Sequence, residues 1–513
     1  MRTSTLLCIA FILFVSVFAN VARADEPHTP EVPATLPPKA VRDDFDALYA
    51  GLKASHYDLY ARRPRADYNA LFDRMRPEFE APLPALEVWS RFQRFVAYGN
   101  VAHARIDPPA AAWESYRQAG GKAFPLFLRV VGKKAYVSVD DSGEPGIAQG
   151  DEVVTVQGQP VMQWLAPMRA LVSADNDYLA YTQLETQLPV LAWLSGERST
   201  SFRVLLRSSN GRRSEHVLPA RDRAGFESAA AHRAKTFELD GSTREARMLD
   251  HGLAYLRPGP FYDNRPEATD MWDASAFQAF LDRSFEQFID QGTQRLLIDL
   301  RDNPGGDNSF SDRMIAWFAD RPFRFSERFD IRISAAATAA NLKRVQSQSG
   351  GADSTSTKLA AAYAGKPNGE HIDFPIASTP PRAGQRFKGE VYLLVNRHSY
   401  SNTVLVAATV QDFHFGKVLG EETADLASTY GALEKFTLAN TGLEVSFPKA
   451  RILRPNGNAA ARGVIPDITI ATPVVTGAQD EVLQRAVAIV GSQAPNTAEY
   501  VPGRTPEGAQ SRR

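Results

Sequence analysis

Leu296-Leu297-Ile298-Asp299-Leu300-Arg301-Asp302-Asn303-Pro304-Gly305-Gly306 and Val391-Tyr392-Leu393-Leu394-Val395-Asn396-Arg397-His398-Ser399-Tyr400-Ser401 are the two stretches on which the reading of this 513-residue chain turns. Each is an apolar run that stops at polar turn residues. The second passes into the helix-compatible Val404-Leu405-Val406-Ala407-Ala408, and strand, sharp turn, helix is the setting that holds a serine hydroxyl exposed at a sheet edge. That serine is Ser401. In the first stretch, paired glycines leave backbone N–H groups bare and let them converge on an anion, as an oxyanion site requires. Read singly, a serine in a turn is a turn residue or helix cap, and Asn-Pro-Gly-Gly is turn chemistry.

These two stretches, followed by Leu419-Gly420-Glu421-Glu422-Thr423 and Gly463-Val464-Ile465-Pro466-Asp467-Ile468, resemble the tail-specific, or C-terminal processing, serine peptidase family. Tyr255-Leu256-Arg257-Pro258 is similar to the strand that opens the family's core. The resemblance implies a multidomain α+β chain: an N-terminal helical domain, a PDZ-like β domain and a ClpP/crotonase-like α/β peptidase core. It also implies a polypeptide substrate, no metal and no cofactor.

Around that core the composition is ordinary, with 44% hydrophobic and 23% charged residues, and a chain of this length exceeds one hydrophobic core. Arg2, the apolar Leu6 to Ala19 and then Ala22-Arg23-Ala24 follow the order of a secretory signal peptide cleaved after Ala24, which predicts a secreted or periplasmic protein. An N-terminal membrane anchor is the competing reading. Cys8, the single cysteine, lies inside this leader, so disulfides and cysteine catalysis are excluded from the mature chain. Basic and acidic residues, 58 against 59, nearly balance, and nothing in that attracts nucleic acid.

Composition and periodicity divide the rest. Residues 25–40 are proline-rich and read as a linker, and 41–112 show helical spacing, as in Phe45, Leu48, Tyr49 and Leu52. Short β runs occupy 120–222, where Gly146 to Gly158 resembles a PDZ core that adds a peptide to a sheet edge. A plain β scaffold without peptide binding stays open there. Residues 249–475 are the α/β part, interrupted by a mobile surface excursion at 347–386. Asp480 to Val490 reads as a last amphipathic helix and 494–513 as a disordered tail.

In the commonest members of the family a lysine at a fixed distance after the serine is the general base, and here that position holds Leu426. The tricorn-like branch uses a histidine at the end of the helical region instead, a place that His103 occupies in Asn100-Val101-Ala102-His103. The resemblance therefore implies Ser401 as nucleophile and His103 as base, with an acid limb of activity at roughly 6 to 7. The N–H groups of Gly305 or Gly306 and of Asn402 would hold the oxyanion. His56, His398, Lys417 and Lys435 are the rival bases. The branch's glutamate is missing before Gly463, and Glu421, Glu434 and Asp302 stay open as the orienting acid. The expected function is an exported serine endopeptidase. The alternatives are an inactive peptide-binding protein with the peptidase fold and a non-proteolytic acyl hydrolase.

Overall fold

The computed structural model describes residues 35–347 and 355–492, so the leader, most of the linker and the 494–513 tail lie outside the described residues. Six strands form the central sheet, in the order Glu245–Leu249, Leu253–Arg257, Arg295–Asp299, Glu390–Val395, Lys417–Gly420 and Ile468–Thr469. The first pair is antiparallel and the others are parallel. Leu296, Ile298, Leu393 and Val395 pack on one face against Phe277, Phe285 and Trp317. Leu297, Tyr392 and Leu394 pack on the other against Val482, Ala486 and Val490 of the last helix, Glu481–Ser492. Cover on both faces is why these strands read as unbroken apolar runs.

Strands Arg295–Asp299 and Glu390–Val395 are adjacent and parallel, which brings the two turns after them together at the carboxyl edge, where α/β sheets place their sites. Asp299 anchors the first turn. It is buried and accepts from Tyr255, from Arg257 at 2.9 Å and from Arg301 at 2.9 and 2.7 Å. Burial alone would raise its pKa, but the two guanidinium charges outweigh it and hold the carboxyl well below the usual range. Arg301 reaches on to Asp480 at the start of the last helix. The turn is thus tied to the sheet beneath it.

A second sheet runs His371–Asp373, Arg328–Arg332, Glu444–Leu453, Thr429–Thr437. The short strand Arg105–Ile106 pairs with Val445 and Ser446 of it, which delivers the end of the helical domain to the core. That domain consists of helices Pro38–Ser55, Arg65–Met75 and Ala85–Ala97, closed on Phe45, whose ring lies 4.8 to 5.5 Å from those of Phe79, Phe95 and Phe92.

Three sequence expectations change. The linker does not run to residue 40, because Thr35–Leu36 pairs with Leu83–Pro84 and the first helix starts at Pro38. Within the expected excursion at 347–386, two regular elements stand among the described residues: Thr355–Tyr363 is helical and His371–Asp373 pairs with Asp330–Arg332. In the β domain, strands Leu126–Val131, Lys134–Asp140, Glu152–Val156, Ser201–Arg207 and Arg213–Pro219 form one sheet in that order. Two helices accompany it, Val161–Arg169 and Asp177–Leu194. Each carries an internal proline, Pro167 or Pro189, and proline is a breaker signal in sequence.

Candidate active site

Ser401 is the residue before helix Asn402–Asp412 and has φ 55° and ψ −124°, a left-handed conformation that costs a non-glycine residue energy and clusters at functional sites. Its side chain makes no cap hydrogen bond. Surroundings impose the conformation. Tyr400 N–H donates to Asn303 O at 3.0 Å, Asn402 Nδ2 to Ser311 Oγ at 2.9 Å, and Thr403 Oγ1 to Asn303 Oδ1 at 2.8 Å. Ser399, by contrast, is fully buried: its hydroxyl donates to Leu300 O and accepts from Asn396 N–H. It is a lock for the turn.

The glycine turn lies directly against the serine. A methyl group on Gly305, at φ 93°, would stand 2.7 Å from Tyr400 O, 2.8 Å from Ser401 Cβ and 2.9 Å from Asn402 N. One on Gly306, at φ 138°, would stand 2.2 Å from Phe261 O. The two expected donors differ. Gly305 N–H is already given to Asn303 Oδ1 at 3.0 Å, so it is no longer open to an oxyanion. Among the described residues neither Gly306 N–H nor Asn402 N–H has an intramolecular acceptor.

His103 is buried, and its ring stacks on Tyr400, with centroids 5.7 Å apart. Burial, then the Arg105 guanidinium, push its pKa down to about 3, against a hydrogen bond to the Tyr430 backbone. Its Nδ1 has no hydrogen-bond partner. The described hydrogen bonds include none between His103 and Ser401; the two stand around Tyr400. An acid limb at 6 to 7 does not fit this imidazole, which desolvation holds neutral well below that range.

The carboxylate facing Ser401 is one that sequence reasoning missed. Asp425 Oδ2 accepts Ser401 N–H at 2.7 Å and its Oδ1 accepts Leu426 N–H at 2.8 Å. It is 1% exposed, and burial, then the charge of Asp175, push its pKa up to about 7. Asp175 accepts from Ala102 N–H at 3.1 Å and Arg62 at 3.5 Å. The only sequence signal for Asp425 is its place beside Leu426. Nothing in the sequence links Asp175 to this turn.

Most of the rival residues are engaged elsewhere. Glu434 pairs with Lys449 and Arg344, Asp302 accepts from Asn396 Nδ2, and Lys435 pairs with Glu444. His56 is buried beside Asp58 N–H, and burial pushes it down to about 3. Burial would lower His398 too, but the Glu185 carboxylate, 3.3 Å away, and Asp302 raise it. Glu421 and Glu185 both bind Arg397 of the nucleophile turn at 2.7 Å. Because Glu185 lies on helix Asp177–Leu194, and Arg129 of the β sheet also reaches Glu421 at 3.3 Å, the β domain is clamped to this turn by buried ion pairs.

Residues 268–470 match the model of peptidase family S41. No curated protein matches the chain. Among solved structures, mature CPAF is 15% identical with a TM-score of 0.56, over 84% of this chain and 92% of that one. Mature CPAF complexed with lactacystin is 14% identical with a TM-score of 0.56, over 84% and 94%. A photosystem II D1 C-terminal processing protease is 16% identical with a TM-score of 0.42, over 88% and 98%. At such identities the CPAF likeness is one of fold, a mixed α/β multidomain architecture.

Proposed function

We propose that this chain, whose residues 268–470 match the model of peptidase family S41, hydrolyses peptide bonds of polypeptide substrates with Ser401 as the nucleophile. The observation that carries this reading is the left-handed Ser401, held at a helix start beside two N–H groups without acceptors. In it, Ser401 Oγ attacks the scissile carbonyl, and Gly306 N–H and Asn402 N–H receive the oxygen as it becomes negative. Gly305 supplies clearance instead of a hydrogen bond. His103 stacks on Tyr400, the residue before the nucleophile. The reading extends to an exported protein, on the order of Arg2, the apolar Leu6 to Ala19 and Ala22-Arg23-Ala24. Among the described residues no helix is long and apolar enough to cross a membrane.

The test is labelling by a fluorophosphonate probe together with cleavage of an unstructured protein such as casein. Labelling that maps to Ser401 and new peptide termini are expected. Labelling without cleavage would point to another acyl substrate, and no labelling at any pH would remove the serine mechanism.

Gly305→Ala tests the glycine turn. The added methyl enters at 2.7 to 2.9 Å from three atoms of the nucleophile turn, at φ 93°, so Ser401 and the Asn402 N–H must move. Loss of one oxyanion donor costs about 10²–10³ in kcat, and hydrolysis is expected to fall at least that far while circular dichroism stays close to wild type. Activity within twofold of wild type would take this turn out of the site.

A further inference from the structure

We infer that Glu185, on helix Asp177–Leu194 beside the β sheet, is a positioning residue for hydrolysis at Ser401, holding the nucleophile turn from another domain through Arg397 and through a proton on His398. This rests on the serine reading above. Both oxygens of one buried carboxylate face consecutive residues of that turn: Oε1 accepts from Arg397 Nη1 at 2.7 Å, and Oε2 stands 3.3 Å from His398 Nε2. The same domain grips Arg397 twice more, with the Tyr178 ring 5.2 Å from its guanidinium and Val130 O accepting from Nη1 at 3.4 Å. Its Nη2 goes to Glu421, which also takes Arg129 of the β sheet.

The hold reaches the reacting groups because the nucleophile turn is locked to the glycine turn. Asn396 Oδ1 accepts from Asp302 N–H and from His398 N–H, both at 3.1 Å, and Asn396 Nδ2 donates to Asp302 Oδ1 at 2.7 Å. Tyr400 N–H donates to Asn303 O. A displacement at Arg397 or His398 therefore shifts Ser401 and Asn402 N–H against Gly306 N–H. A nucleophile and its oxyanion donors tolerate little of this, since a misplacement of about 1 Å costs up to about 10²-fold in rate.

His398 makes the hold dependent on pH. It lies between two carboxylates, Glu185 from the helix and Asp302 from the glycine turn, with the Arg397 guanidinium beside it and Glu421 and Arg129 behind that. Burial lowers its proton affinity, but the two carboxylates outweigh burial and Arg397 and raise it above the ordinary 6.5. Protonated, the ring is a cation facing both carboxylates; neutral, it keeps one N–H and no charge. The hold is complete below the folded pKa of His398 and weakens as pH rises through it. The side chain is 27% exposed, so this proton exchanges with solvent. Arg397 stays paired with Glu185 throughout.

The experiment is the second-order rate of fluorophosphonate labelling of the full chain at pH 6 and pH 9, with thermal melting as a fold control. Each variant is read as the ratio of wild-type to variant rate, in which the titration of the base cancels. Glu185→Gln keeps an acceptor oxygen for Arg397, which also keeps Glu421. It is expected to label more slowly at pH 6 by about 10-fold or more, and the ratio should shrink at pH 9, where wild type has lost the His398 charge. His398→Gln reads the proton alone: a ratio of roughly several-fold at pH 6 should approach one at pH 9, whether or not Glu185→Gln folds. Labelling of Glu185→Gln as fast as wild type at pH 6 overturns the inference and leaves the Ser401 reading standing. So do ratios equal at both pH values in every variant that folds, since a merely structural loss does not follow the His398 proton. Wild type unlabelled at either pH overturns that reading, and the inference with it.

Discussion

Ser401→Gly is expected to abolish hydrolysis and at the same time to raise the melting temperature above that of Ser401→Ala. Removing a catalytic serine in a well-built hydrolase costs about 10⁶ in kcat, and here no second hydroxyl can take over, since Ser399 is buried with its hydroxyl committed to Leu300 O. The stability half of the result comes from the backbone. At φ 55° and ψ −124° a residue with a Cβ carries strain of about 1–3 kcal/mol. Alanine keeps the Cβ and the strain, whereas glycine releases it, less about 1 kcal/mol for its greater unfolded-state entropy. Kinetics on a protein substrate and thermal melts of both variants check the two halves. Residual activity above about one part in 10³ of wild type would place the nucleophile elsewhere. A glycine variant that melts below the alanine one would mean that the Cβ packs usefully and the turn is not strained.

How far the site is legible in the sequence depends on the kind of signal each part leaves. The two strand-turn units are legible because a strand covered on both faces is an unbroken apolar run, and Asn303-Pro304-Gly305-Gly306 and Ser399-Tyr400-Ser401 end such runs abruptly. Helix Asp177–Leu194 is not legible: it is apolar nearly all round, with Leu184, Leu188, Val190, Leu191 and Trp193 all buried, so it has no amphipathic period, and Pro189 reads as a break. His103 is located by its place at the end of the helical region, but its depressed proton affinity comes from burial that only the folded chain produces. Asp425 stands in plain view within Thr423-Ala424-Asp425-Leu426, one residue short of the position where a lysine is expected. Its side chain turns to Ser401 because this segment is held on both sides, by Ala424 N–H on Arg397 O and Ala427 N–H on Arg462 O, and contacts between such distant segments leave no trace in local pattern.

Asp425 is a buried carboxylate next to a second one, Asp175, so its charge is a burden on the fold, and this sets the expected pH dependence of stability. Its folded pKa, about 7, lies above the ~3.9 of an unfolded aspartate. Between those values the folded chain binds more protons than the unfolded one, so stability contributed at this residue falls as pH rises and is fully lost above about 7. The gap between the two values is worth at most about 4 kcal/mol. Measured from a constant cost, incurred because the asparagine NH2 faces one of the two N–H groups, Asp425→Asn, which removes the ionisation, should gain stability at pH 8, by on the order of 2–4 kcal/mol. The gain should shrink as pH falls from about 7 and disappear below about 4, where both carboxyl states are neutral. Urea melts of the two proteins at pH 4, 6 and 8 read this directly. A variant relatively weaker at pH 8 than at pH 4 would mean that the folded state stabilises the Asp425 charge and that the two N–H groups on it outweigh burial and the Asp175 charge.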